Sequence, residues 1–236
     1  LDQLNFKEEA ENIYKRIIQI SPDHFDANRN LVLLYNEKRD FKKAIKVCEE
    51  FIKIKPDDYD FLNLFALFCQ RTGITKKAIN IYLSLLEKKC DDPPIHNNLG
   101  LCYLDLGFNN LAGEHFSKAL KINPNLPKSW MNLGTIELRN GRIDHAISCF
   151  NKGLSLDKND FEIFNNLGNA YAKKRNFQKS LSYFYKAIEL KPDDTDIRSN
   201  YLCHLNYIDD MNLKDILDKH IQISKSYNED GKKYFL

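Results

Sequence analysis

The segment FEIFNNLGNAYAKKRNFQKSLSYFYKAIELKPDD, residues 161–194, shows one period of a pattern that recurs every 34 residues along this 236-residue chain. Small residues stand at one position of the period, and mostly large apolar residues stand four positions later. They are Ala10, Ala44, Ala78, Ala112, Ala146 and Ser180, followed by Tyr14, Cys48, Tyr82, Phe116, Phe150 and Phe184. Prolines close four units, at Pro22, Pro56, Pro124 and Pro192. Such a period predicts pairs of helices that stack on one another, because one pair cannot bury its apolar faces alone.

Small and aromatic residues in fixed phase within a 34-residue helix-turn-helix unit are the signature of tetratricopeptide repeats. We therefore expect an all-α fold, a tetratricopeptide helix-turn-helix solenoid wound as a right-handed superhelix with one continuous core. Five full repeats are predicted, at 25–58, 59–92, 93–126, 127–160 and 161–194. Residues 1–24 are predicted to hold the second helix of a truncated repeat, and residues 195–236 to form C-terminal capping or linker helices. Because half a repeat leaves an apolar face without a neighbour, we expect the chain to be a fragment of a longer polypeptide.

Glycines recur at two positions of the repeat. In Leu-Gly pairs, Gly100, Gly134 and Gly168 lie in the middle of a predicted first helix, where glycine costs about 1 kcal/mol relative to alanine. We expect the small residue of the second helix to meet this glycine, with aromatic residues filling the gaps on either side. Gly73, Gly107 and Gly141 fall in the predicted turns, where a left-handed residue ends the first helix. Two other turns have arginine there, at Arg39 and Arg175, and we expect them to be strained or differently shaped.

The composition excludes several functions. The chain is 43% hydrophobic with a net charge of +2, and no apolar run approaches the roughly 18 residues that span a membrane. Charges this nearly balanced give no basic stripe for nucleic acid. The six cysteines and six histidines form no CxxC pair, zinc pattern or HExxH motif, so no metal or cofactor site is expected. We predict a non-catalytic, cytoplasmic segment that binds neither nucleic acid nor membrane.

Cysteines and paired carboxylates have structural explanations. Cys48 and Cys69 stand at core positions, and Cys102 and Cys149 one residue away from core positions. Cys90 lies in a closing loop, and the phase of Cys203 points toward the groove. Aspartate pairs precede predicted helices, at 57–58, 91–92 and 193–194. They are predicted to cap free backbone N–H groups, which is favoured over general acid–base catalysis.

A row of asparagines marks the candidate site. The residue before the conserved leucine of each first helix is Asn30, Leu64, Asn98, Asn132, Asn166 or Asn200. An amide carries two donors and an acceptor, so this row, an asparagine ladder, can pair with the backbone of an extended peptide. Adjacent asparagines extend the candidate peptide-binding set to Asn63, Asn97, Asn165 and Asn169. The alternative is that asparagine is merely tolerated on a solvated surface. Asparagine is a poor helix former, however, so its recurrence at one position of the repeat favours a role in binding.

The units HNNLG (96–100), MNLG (131–134) and FNNLGNAY (164–171) resemble the repeats of O-GlcNAc transferases and their bacterial relatives, as does RIDHAI at 142–147. Segments 198–202, 205–207 and 211–220 are similar to the stretch that joins repeats to the catalytic region in those glycosyltransferases. The alternative for 211–220 is an amphipathic helix that caps the last repeat. The resemblance implies a peptide-binding asparagine ladder, interrupted at Leu64, and a nucleotide-sugar domain beyond this chain.

Two functions of different classes follow. The chain is either the substrate-recognition region of an O-GlcNAc transferase-like enzyme or a stand-alone adaptor or assembly scaffold. Either would hold an extended polypeptide or protein in a concave groove, and a homodimer is a further arrangement. A receptor for chaperone tails is disfavoured, because the basic groove residues are dispersed and interrupted by acidic ones: Arg29, Arg71, Lys128, Arg139 and Lys173, with Glu37 and Asp105. Arg71, Arg139 and Lys173 share one phase, which either favours acidic ligands or simply keeps the face solvated.

Overall fold

The computed structural model describes residues 2–88, 91–205 and 207, apart from the side chains of 2–5. The chain divides into two compact units, 1–122 and 123–236. Within the described ranges there are twelve α-helices and no strand, which is the predicted all-α repeat fold. In the same ranges no helix is both long and apolar enough to cross a membrane.

Helices follow one another with short turns between them. The first unit contains α1 (Asp2–Ile20), α2 (Phe25–Glu37), α3 (Phe41–Ile54), α4 (Tyr59–Arg71), α5 (Thr75–Lys88), α6 (Pro93–Asp105) and α7 (Asn109–Ile122). The second unit contains α8 (Pro127–Arg139), α9 (Ile143–Leu156), α10 (Phe161–Lys173), α11 (Phe177–Leu190) and α12 (Thr195–Leu205). Each interval predicted as a repeat holds two of these helices. The assignment of these intervals as repeats, of 1–24 as a half repeat and of 195–236 as a linker stays a prediction.

Aromatic side chains fill the space between successive helices in the first unit. Phe51 of α3 and Phe61 of α4 are fully buried, and their stacked ring centroids lie 3.8 Å apart. Full burial of one such side chain contributes about 1.5–3 kcal/mol. The small residues Ala44, Ala78 and Ala112 are also fully buried, so the helices of each pair pack closely. The period in the sequence therefore reflects the spacing of core contacts.

The mid-helix glycines make room for a phenylalanine ring. A Cβ atom placed on Gly100, Gly134 or Gly168 would lie 2.6 Å from a ring carbon of Phe116, Phe150 or Phe184, respectively. The phenylalanine of the second helix, and not its small residue, supplies the atoms nearest to this Cβ position. The ring occupies that space because it is the larger group and reaches farther across the helix pair. The small residue lies near the same segment, since the Ser180 hydroxyl donates to the Gly168 carbonyl at 2.8 Å.

All five turns within the helix pairs share one backbone geometry. Gly73, Gly107 and Gly141 have φ values of 81°, 80° and 77°, and Arg39 and Arg175 have 55° and 58°. In each turn the amide after this residue donates to the carbonyl five residues earlier, as in Asp40 to Tyr35 at 2.9 Å and Asn176 to Tyr171 at 2.9 Å. The arginine turns are thus strained, but the alternative that they are differently shaped was wrong.

Replacing Arg39 and Arg175 by glycine is expected to stabilise the protein by roughly 0.5–1 kcal/mol per site, because glycine adopts positive φ without steric cost. Both arginines are exposed. Urea denaturation followed by circular dichroism measures the gain. The matched control is Asn140→Gly, at an exposed turn residue with φ of −78°, which should give no gain. Equal effects at the three positions would contradict the assigned strain.

The aspartate pairs cap helices, as predicted. Asp58 accepts from the amide of Phe61 at 3.0 Å, Asp92 from Ile95 at 3.2 Å, and Asp194 from Ile197 at 3.1 Å. Each side chain satisfies a backbone N–H that the first turn of a helix leaves free.

Four of the five described cysteines are buried: Cys48, Cys69, Cys102 and Cys149. This confirms the core location predicted for Cys48 and Cys69 and extends it to the other two. Burial raises the pKa of the Cys48 and Cys102 thiols to about 12, so both are protonated and unreactive at neutral pH. Cys203 is exposed, whereas Cys90 and segment 211–220 lie outside the described residues.

Candidate functional site

The ladder positions lie on the first helix of each pair and on α12. Each ladder residue precedes a residue of the helix–helix packing, and in five of the six cases that next residue is buried: Leu31, Phe65, Leu99, Leu167 and Tyr201. Successive residues of a helix point about 100° apart around its axis. A ladder residue next to a buried residue therefore lies at the edge of the core. Accordingly Asn30, Leu64, Asn98, Asn132, Asn166 and Asn200 are all half-buried, as are Asn63, Asn97, Asn165 and Asn169.

The ladder amides differ in what they already contact. Among the described residues, Asn30, Asn132 and Asn166 have side chains with no hydrogen bond. The Asn200 amide instead donates to the Asn165 amide oxygen at 3.1 Å. The Asn98 side chain lies close to the buried Tyr82 hydroxyl, although the two do not form a hydrogen bond of normal geometry. Burial raises the pKa of Tyr82, and the nearby Asn98 amide partly offsets this rise. Peptide binding by these residues stays a prediction, and it is best supported where the amides are unpaired.

The second unit has a cleft of about 450 Å³ on this side of its helices, called here the second-unit cleft. Its lining residues are Thr135, Leu138 and Arg139 of α8, Asn166, Asn169, Ala172 and Lys173 of α10, and His204 of α12. The cleft therefore brings together two predicted site residues, Asn166 and Asn169. Asn132, Asn165 and Asn200 belong to the same unit but do not line it.

The cleft is positively charged. Arg139 and Lys173 are exposed, and within the described part of the chain neither forms an ion pair or a hydrogen bond. His204 donates from Nδ1 to the Asn200 carbonyl at 2.7 Å, since a carbonyl can only accept. Its ring is held beside Phe184, with centroids 5.4 Å apart. The imidazole therefore has a fixed orientation, and Nε2 is left for other contacts.

Sequence reasoning noted Arg139 and Lys173 as basic residues of one phase but left them out of the site. Their 34-residue spacing was the available signal, because side chains at one phase of successive first helices lie on the same side. Thr135, Leu138, Ala172 and His204 were missed. His204 had no comparable signal, since it stands at a phase where no other repeat carries a histidine.

A second cleft, of about 380 Å³, lies in the first unit between α1 and α3, with Asn28, Leu31 and Tyr35 of α2 along it. None of the predicted site residues lines it. Next to it, Glu11 accepts from Lys38 at 2.6 Å and from the Tyr35 hydroxyl at 3.0 Å. Hydrogen bonds from Lys15, Lys38 and Tyr35 lower the pKa of Glu11 to about 2. This network joins α1 to α2, which is a structural role.

Two buried histidines face one another in the first unit. Nδ1 of His96 on α6 lies 3.1 Å from Nδ1 of His115 on α7, and the Tyr103 ring stacks on His115 with centroids 5.4 Å apart. Burial, and then the charges of His96 and Lys118, lower the pKa of His115 to about 4. The described residues contain no group of three or more side chains that could hold a metal ion. The pair is thus a neutral hydrogen bond within the core.

Comparisons with known proteins agree with the geometry. Models of the tetratricopeptide repeat match residues 1–59, 93–126 and 161–194, and a further TPR repeat model matches 134–174. No curated protein matches the chain in sequence.

Several solved structures have the same fold. Pseudomonas aeruginosa pilF matches with a TM-score of 0.70 at 18% identity, over 96% of this chain and 95% of that one. YrrB, a TPR protein with an unusual peptide-binding site, matches with a TM-score of 0.58 at 19% identity, over 79% and 96%. The Cut9–Hcn1 hetero-tetramer of the APC/C gives a TM-score of 0.75 at 18% identity, over 86% of this chain. The chain spans only 40% of that relative's length. The repeat period, the helix pairs and the family models together show that this chain is a tetratricopeptide repeat protein.

Proposed function

We infer that this chain is a scaffold that binds an extended segment of another protein at the ladder positions of its first helices. The observation that carries this inference concerns Asn132 and Asn166, on the contacting helices α8 and α10. Both amides are half-buried and have no hydrogen bond to any described residue. YrrB, which has this fold, has a peptide-binding site, and this supports the same class of ligand here. The scaffold itself performs no chemistry in this proposal.

Binding of this kind depends on many weak contacts. An asparagine amide that donates to a peptide carbonyl and accepts from a peptide N–H contributes about 0.5–1.5 kcal/mol per hydrogen bond. Because the backbone is common to all residues, such contacts accept varied sequences. Half-burial strengthens them, since the surrounding helices exclude part of the competing water.

The double variant Asn132→Ala and Asn166→Ala is expected to weaken peptide binding about tenfold, which corresponds to a loss of about 1.4 kcal/mol. The ligand is a peptide chosen from a random 12-residue display library by selection on the wild-type protein, and fluorescence anisotropy gives its Kd. Stability should change by less than about 0.5 kcal/mol, because neither amide is bonded within the described structure. Asn140→Ala is the control, an exposed asparagine of the same unit that does not line the cleft. Unchanged affinity in the double variant would show that the ladder asparagines do not contribute to peptide binding.

The second candidate is the substrate-recognition region of an O-GlcNAc transferase-like enzyme, favoured by asparagine at five of the six ladder positions. The adaptor proposal needs no further domain, and pilF and YrrB are covered almost completely by this chain. The intact mass of the native protein and its turnover of UDP-N-acetylglucosamine separate the two. A mass near 27.7 kDa without turnover supports the adaptor, and a larger mass with turnover supports the enzyme.

Two further points belong to the proposal. A reducing compartment such as the cytoplasm suits a chain whose five described cysteines are all free thiols. A second copy of the chain is an alternative partner, and sedimentation of the purified protein over a range of concentrations would reveal a homodimer.

A further inference from the structure

We propose that the second-unit cleft binds a carboxylate group of the polypeptide, and hence that the scaffold selects acidic segments. The inference rests on the proposed function and adds a ligand chemistry to it. It is carried by the side chains that line the cleft, their charges and the partners that they have or lack.

The first argument is charge complementarity. Arg139 and Lys173 lie on the same side of the contacting helices α8 and α10 and line one cleft. Among the described residues that line it, none is acidic. Two cations of fixed charge therefore share a concave surface without a compensating anion, and a bound carboxylate would compensate both.

The second argument is the contrast with neighbouring cations in the same unit. Acidic residues lie beside several of them: Lys128 with Glu162 at 2.8 Å, Arg142 with Glu137 at 2.5 Å, Lys174 with Asp144 at 2.6 Å and Lys191 with Asp194 at 3.1 Å. Arg139 and Lys173 have no such partner within the described ranges. Lys174, next to Lys173 in sequence, is paired, so the difference follows the side of the helix.

The third argument is a contrast at the same repeat position in the first unit. Arg71 occupies it on α4, but its guanidinium already donates to Asn36 at 2.5 Å and lies 5.6 Å from the Phe41 ring centroid. Asp105 occupies it on α6 and accepts from Gln70 at 3.2 Å. At this repeat position the second unit has two cations, Arg139 and Lys173, that are unpaired among the described residues. In the first unit α4 has a cation that is already bonded, and α6 has an acidic residue.

The remaining lining groups suit a carboxylate. Amide N–H groups of Asn166 and Asn169 can donate to its oxygens, and both amides lack a hydrogen bond within the described structure. The Thr135 hydroxyl donates to the Met131 carbonyl at 3.0 Å, so its oxygen is not a donor toward the cleft. Leu138 and Ala172 offer apolar contact for the methylene groups of an aspartate or glutamate. Arginine and amide donors together match the planar oxygens of a carboxylate.

The test is a set of parallel selections from one random 12-residue peptide library, fused at its C-terminus to the carrier. The targets are the wild type, the variant Arg139→Gln with Lys173→Gln, and the control Lys158→Gln with Arg175→Gln. The control removes the same net charge from exposed residues of the same unit that do not line the cleft. We expect aspartate and glutamate to be enriched at least twofold in peptides selected on the wild type and the control, and not in those selected on the cleft variant.

A selected peptide and its Glu→Gln counterpart are then compared by fluorescence anisotropy. The acidic peptide should bind the wild type at least fivefold more tightly, and this ratio should fall to about one on the cleft variant. Synthesis with a free or an amidated C-terminus shows whether a terminal or a side-chain carboxylate is bound. Selected peptides without acidic enrichment, or equal affinity of the two peptides, would overturn the inference and leave the scaffold function standing. If no peptide is enriched on any target, the scaffold function fails, and the carboxylate site fails with it.

Discussion

Replacing Gly134 with leucine is expected to lower the free energy of unfolding by about 3 kcal/mol, because a Cβ atom there would lie 2.6 Å from the Phe150 ring. That ring is fully buried and cannot move aside without disturbing both helices of the pair. Urea denaturation followed by circular dichroism measures the loss. Gly134→Ala should cost less, since it adds only the first clashing atom.

The control for this prediction is Gly141→Ala. No heavy atom lies within 4 Å of a Cβ placed there, so the only cost is that of positive φ, about 1 kcal/mol. Adding Phe150→Leu to Gly134→Ala should recover part of the lost stability, because the smaller side chain leaves room for the new methyl group. Wild-type stability in Gly134→Leu would mean that the glycine and the ring do not face one another.

Acidification from about pH 7.5 to about pH 5 is expected to cost the protein about 2 kcal/mol through His115 alone. Its pKa lies near 4, below the ordinary 6.5, because burial and the adjacent His96 disfavour the charged ring. The contribution of a base with a depressed pKa is complete above about 6.5 and is lost as the pH falls toward 4. Glu11 does not interfere, since a carboxylate with a pKa near 2 loses its contribution only below about 4.5.

The measurement is a series of urea denaturation curves over this pH range for the wild type, His115→Phe and His115→Gln. Both variants should lose less stability than the wild type between pH 7.5 and pH 5. His145→Gln is the control, because the His145 side chain is 77% exposed and its replacement leaves the buried core unchanged. Parallel curves for the wild type and both His115 variants would contradict the prediction.

Much of the fold was predictable because the same packing residues recur in each repeat. Each recurrence of a small residue such as Ala112 and a large one such as Phe116 indicates the same kind of helix pair, so the helix pairs and the aspartate caps could be predicted. What faces Gly134 was harder to predict. The repeat period does not show whether Ala146 or Phe150 of the facing helix lies closer to Gly134. The larger Phe150 ring occupies the space beside the glycine.

The candidate site was less predictable than the fold. The ladder positions followed from the phase of the core, but the phase says nothing about partners, and Asn200 is already bonded to Asn165. The uncompensated positive charge of the cleft depends on the absence of partners for Arg139 and Lys173 among the described residues, which no spacing reveals. The His96–His115 contact joins residues 19 positions apart on two helices, and neither histidine belongs to a sequence motif that would indicate it.

The glycine–phenylalanine contacts have a consequence for how such an array can be lengthened. Each contact lies within one helix pair, α6 with α7, α8 with α9 and α10 with α11. The two earlier pairs have different residues at these positions, Val32 with Cys48 and Ala66 with Tyr82, all buried. In the pair of α2 and α3 the larger Val32 goes with the smaller Cys48, whereas Ala66 and Tyr82 are both larger than the glycine and the phenylalanine of the other pairs. Each of the three glycine–phenylalanine contacts is a close fit of one residue to the other, so a transplanted helix pair keeps its internal fit only when both residues are transferred together.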